Sequence, residues 1–128
     1  MTKYLLVLIG GGVGSLVRFL TGTFVLRFFA GAFPLGTFLI NLTGSFLIGI
    51  LMTYFLNHSI DPNWRLFLVT GMLGGYTTFS SFEWETFLTL REGATLVAIV
   101  YFVLSIVLGL AAVWLGAAVG NGLGFVKS

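Results

Sequence analysis

Thr37, Asn41 and Ser45 stand four residues apart, so in a helix they share one face. Further along, Thr78, Ser81 and Glu85 recur at intervals of three and four, and Phe79 and Phe82 at three. Tyr101 and Ser105 begin a third set, continued by Gly109 and Gly116. These hydroxyls, one amide, one carboxyl group and two rings lie in stretches that are otherwise apolar. Hydroxyl and amide donors can replace the water shell of a small anion without a fixed positive charge binding it too tightly. A phenyl edge is the positive part of the ring quadrupole and can face the same anion. An amide in an apolar helix also has a plainer use. It needs hydrogen-bond partners and can tie helices together, worth about 0.6 kcal/mol in membrane proteins. Both readings of Asn41 stay open at this point.

Other chemistry is thinly supplied. The chain has one histidine, His58, and no cysteine, which excludes disulfides, thiolate chemistry and Cys-based metal sites. His58 lies between Asn57 and Ser59 and reads as a surface residue. Neither G-x-S-x-G nor H-E-x-x-H occurs, and Gly10-Gly11-Gly12 lacks the preceding strand and final glycine of a dinucleotide loop. An enzyme is not expected. The six Lys and Arg residues are scattered singly for a net charge of +2, which leaves no electrostatic footprint for nucleic acid.

The elements that must carry these groups are set by composition. With 58% hydrophobic and 8% charged residues in 128, the chain has more apolar surface than a soluble core of that length could hide. Charge-free runs extend over 28–60, 66–82 and 93–126, and only Arg18 interrupts the stretch between Lys3 and Arg27. A membrane helix needs about 20 mostly apolar residues, so four spans are predicted, at roughly 4–26, 35–56, 66–88 and 95–120. One four-helix transmembrane domain then accounts for residues 1–128. The start, MTKYLLVLIGGGVG, has the look of a signal peptide but no small-residue cleavage pattern, and is expected to be a retained first helix. Glycine pairs such as Gly10 with Gly14 and Gly71 with Gly75, the Ser45–Gly49 pair, and the series Gly116, Gly120 and Gly124 would let helices approach closely. Trp64, Trp84 and Tyr54 suit an interfacial aromatic belt, and Asp61, Glu83 and Glu92 suit solvated helix ends. Arg18 would ordinarily snorkel to the interface, since a central arginine costs at least ~2.5 kcal/mol.

Two features go further. An even number of spans puts Lys3, Arg65 and Lys127 on one side and Arg27 and Arg91 on the other, with Arg18 leaning to the latter. That near balance gives little orientation bias, so the chain is expected to insert both ways and pair with an inverted copy. In the third span, GGYTTFSS predicts a break at mid-membrane, where freed carbonyls must find partners. Carbonyl oxygens suit Na⁺ or K⁺, and two inverted breaks meeting on a two-fold axis could share one such ion.

GAFPLGTFLINLTGSFLIG (31–49) and TGMLGGYTTFSSFEWE (70–85) resemble the two signature segments of the Fluc, or CrcB-type, fluoride channels, and residues 11–19 extend the likeness. The resemblance implies a fluoride-selective passive channel in the cell membrane that exports cytoplasmic fluoride. It implies an all-α, dual-topology antiparallel homodimer with two pores and a central structural Na⁺. It would make Gly74 and Thr77 the carbonyl donors to that Na⁺, and Asn41 the pore amide facing Phe79 and Phe82. Thr37, Thr78, Ser81 and Glu85 would form the polar track, with Tyr101 and Ser105 on its far side and Arg18 as the arginine of the first helix. Ser81 stands where threonine is common, and Leu108-Gly109 where Gly-Ser is common, so no pore hydroxyl is expected at 109. A small dual-topology multidrug exporter is the rival architecture. Such exporters place a carboxylate in the first helix, where this chain has Arg18.

Overall fold

The computed structural model describes residues 1–122, and these are all-helical, without a strand. Two long helices open the chain: α1 (Thr2–Phe28) and α2 (Leu35–Asn57). The third span is divided. Its first half, α3 (residues 62–76), passes from an α-helical turn (Pro62–Arg65) through a π-helical stretch (Leu66–Leu73) to a last turn (Gly74–Tyr76). After two extended residues it resumes as α4 (Phe79–Arg91), and α5 (Thr95–Gly122) closes the described chain. Three helices, α1, α2 and α5, are each long and apolar enough to cross a membrane. The third span falls short as a single helix because of its break. Lys127 and Gly124, invoked for charge balance and packing, lie outside the described residues.

Local chemistry explains the boundaries. Pro34 precedes α2, and Asp61 caps α3, its Oδ1 accepting from the Asn63 N–H at 2.9 Å while Pro62 takes the first helical position. The turn into α5 is a Schellman closure: Gly93, at φ 83°, donates to Leu90 O and Ala94 to Thr89 O. Much apolar surface faces outward, including Leu8, Phe24 and Trp114, each more than 60% exposed. On a chain of this composition that surface is what lipid covers. The protein is a membrane protein with several spans.

The helices pack as two parallel pairs. Gly10 and Gly14 of α1 lie against Gly71 and the Met72–Tyr76 backbone of α3 so closely that a Cβ on either glycine would strike main chain. Gly49 of α2 and Gly116 of α5 do the same for the second pair. The predicted small-residue pairs therefore pack helix on helix wherever the structure describes them. At the far end of that second pair Asn57 donates to Asn121 at 2.9 Å.

Candidate functional site

The break falls at Thr77 and Thr78, both extended (φ −77°, ψ 155° and φ −149°, ψ 116°), whereas Gly74 and Gly75 stay helical. The two glycines that suggested a break therefore have other work. Gly75 lies under the Gly11 carbonyl of α1, and Gly74 is exposed on the opposite side. What opens the helix is the diversion of backbone groups to side chains. The Thr78 N–H donates to Asn41 Oδ1 at 2.8 Å, and Asn41 Nδ2 donates to the Thr78 carbonyl at 2.9 Å. The Thr78 hydroxyl then caps α4, accepting from the Ser81 N–H at 3.2 Å and donating to the Ser81 hydroxyl at 3.0 Å. Thr77 N–H and Oγ1 both return to Leu73 O, each at 2.9 Å. With the Thr78 N–H diverted to Asn41, the Gly74 carbonyl loses its usual donor four residues on.

Arg18 does not run to the interface. Its Nη1 donates to the Thr77 carbonyl at 3.3 Å, so a guanidinium sits at the level of the break. This part-buried contact replaces the snorkelled position expected for it.

A groove of about 370 Å³ opens beside the break, lined in part by Asn41, Gly74, Thr77, Thr78, Phe79 and Ser105. Phe79 is 67% exposed at its outer side, while Phe82 is buried behind it with ring centroids 5.9 Å apart. The Ser105 hydroxyl is buried without a partner among the described residues. A donor of that kind beside a groove is free to serve a ligand.

Phe82 separates this groove from a second polar cluster. Its ring meets Tyr101 edge-on at 5.2 Å and stacks on Phe102 at 5.7 Å. Beyond it, Glu85 accepts from Thr37 at 2.6 Å and from the Tyr101 hydroxyl at 2.8 Å, one oxygen each. The expected residues thus form two clusters on either side of one ring, with Ser81 tied to the first through Thr78. One polar pair was missed by sequence reasoning: Thr43 and the Tyr76 hydroxyl, 2.8 Å apart across α2 and α3. Thr43 lies two residues past Asn41 in the 31–49 segment and Tyr76 within GGYTTFSS, and those placements were the signal.

Hydroxyl and amide donors, a carboxylate held by two hydroxyls and a buried ring, gathered from three helices beside a broken span, define an α-helical membrane protein with polar groups in its interior. The profile of the family described as "CrcB-like protein, Camphor Resistance (CrcB)" matches residues 5–117, and this chain belongs to that family. The chain is 50% identical over 117 residues to the "Fluoride-specific ion channel FluC" of Solibacter usitatus, covering 90% of this chain and 95% of that one. A relative of the same name from a Hydrogenobaculum species is 51% identical over 121 residues, 93% of this chain and 98% of its own. One from Aquifex aeolicus is 42% identical over 118 residues, 91% and 95%. These relatives are named for ion channels, which are not enzymes.

Proposed function

We infer that this protein is a passive, fluoride-selective channel of the cell membrane that lets cytoplasmic fluoride out. The observation that carries this reading is the sequence of donors that α2, α4 and α5 gather beside the break. Asn41, Thr78, Ser81 and Ser105 lie on one side of the Phe82 ring, and Thr37 and Tyr101 on the other. A dehydrated anion moves between the two clusters past the edges of Phe79 and Phe82. At the second cluster it competes with the Glu85 carboxylate for the Thr37 and Tyr101 hydroxyls, so the track binds without trapping. The ion names of the relatives support fluoride as that anion.

The assembly reading goes with it. Two inverted copies form an antiparallel homodimer in lipid, with two pores per dimer. The break fits a structural Na⁺ on chemical grounds. The exposed Gly74 residue, whose carbonyl loses the Thr78 N–H to Asn41, and the Thr77 carbonyl offer neutral hard oxygens, and a two-fold copy doubles them. When bound, Na⁺ supplies positive charge that holds the two breaks together. The Thr77 oxygen has a second lone pair beside the one Arg18 uses.

Purified protein in liposomes loaded with potassium fluoride, opened to potassium by an ionophore, should release fluoride passively and retain chloride. Release no faster than from protein-free liposomes would remove the channel reading.

A further inference from the structure

An asparagine amide can occupy one place in two orientations, related by a half-turn that exchanges Oδ1 and Nδ2. The surroundings of Asn41 accept only one. The Thr78 N–H is an obligate donor and lies 2.8 Å from Oδ1, while the Thr78 carbonyl is an obligate acceptor 2.9 Å from Nδ2. A flipped amide would set N–H against N–H and oxygen against oxygen, with two part-buried hydrogen bonds lost at once. Thr78 can offer both groups to one amide because its extended backbone (φ −149°, ψ 116°) turns its N–H and C=O to the same side. The closed ring this forms uses Oδ1 and the N–H on the Oδ1 side. The second N–H, on the Cβ side, has no partner among the described residues, and Asn41 lines the groove.

We propose that Thr78 is a positioning residue for anion selectivity, its extended peptide locking the Asn41 amide so that the groove is offered an N–H donor while the oxygen is engaged. The inference rests on the anion-path reading of the groove and names what gives that path its sign. A small anion meets a donor that cannot turn away. Turning the amide over to present its oxygen to a cation in place of the N–H would break both bonds to Thr78.

The test is a nuclear magnetic resonance titration of the full-length, ¹⁵N-labelled protein in lipid nanodiscs. N41D identifies the two side-chain N–H signals by their loss, and contacts to the Asn41 Cβ protons tell one from the other. Sodium fluoride should shift the Cβ-side proton and leave the Oδ1-side proton, held by Thr78, in place. Sodium chloride should move neither. Equal shifts of both protons, movement of the Oδ1-side proton alone, or no movement in protein that releases fluoride from liposomes would overturn the lock. Absence of release from liposomes would instead overturn the reading of the groove on which it stands.

Discussion

Glu85 keeps each carboxylate oxygen on a different hydroxyl, one from α2 and one from α5, so three helices meet at a single charge. Tyr101 is fully buried, and its ring also braces Phe33 and Phe82 edge-on at 5.3 and 5.2 Å. Tyr101→Phe removes the donor and keeps the ring, which leaves one carboxylate oxygen short of its partner. Loss of a partner from such a group costs about 1–3 kcal/mol, and Thr37→Val is expected to act likewise through the other oxygen. Both variants should unfold at lower temperature in detergent than the parent protein, with fluoride release slowed as well. An unchanged unfolding temperature for both would mean that the cluster contributes nothing to holding the helices. Spacing put Thr78, Ser81 and Glu85 on one face, yet Glu85 lies in this cluster and the other two lie across the Phe82 ring from it. The pairing was not legible either. Thr37 and Glu85 are 48 positions apart, and no periodicity within one helix says which groove of a neighbour it enters.

At the scale of elements, the third span shows how a correct expectation can have the wrong cause. The break was expected within GGYTTFSS, which opens on a glycine doublet, and glycine weakens a helix. The chain stays helical through both and opens at two threonines, whose backbone is claimed by Asn41 and whose hydroxyl caps the next helix. Asn41 acts here as glue, and its lining of the groove leaves the pore role alongside it. A long-range side-chain-to-backbone pair leaves no local signature, whereas a glycine doublet does, and the local signal misdirected the reading. The glycines serve close approach instead. A Cβ at Gly75 would press into the Gly11 carbonyl, while one at Gly12 would meet nothing within 4 Å. Gly75→Ala should therefore destabilise the α1–α3 pair by about 1–3 kcal/mol, the usual range for overpacking. Gly12→Ala, on the facing helix α1, should be neutral or slightly stabilising because alanine favours helix. Denaturation in detergent micelles measures both, and equal stability of the two variants would rule out close approach as the reason for Gly75.

For the whole molecule, the parallel pairing of α1 with α3 and of α2 with α5 fixes which ends lie together. Lys3 and Arg65 are at one end of the bundle and Arg27 and Arg91 at the other, while Arg18 is held at the break. Orientation in a membrane follows the excess of Lys and Arg on one side, and two against two supplies none among the described residues. If the working protein is an antiparallel dimer, that balance is functional, because a uniformly oriented population has no inverted copy to pair with. Thr2→Lys with Ser59→Lys loads one end at exposed positions, and Ala32→Lys with Glu92→Lys loads the other. Each double variant alone should insert mostly one way, read by a reporter fused to the C-terminus, and should give about tenfold less fluoride release than the parent. Co-expression of the two should restore release, since their opposite orientations again supply both halves. Full release from either variant alone, with the reporter on one side only, would rule out the antiparallel assembly and leave a parallel or single-subunit channel in its place.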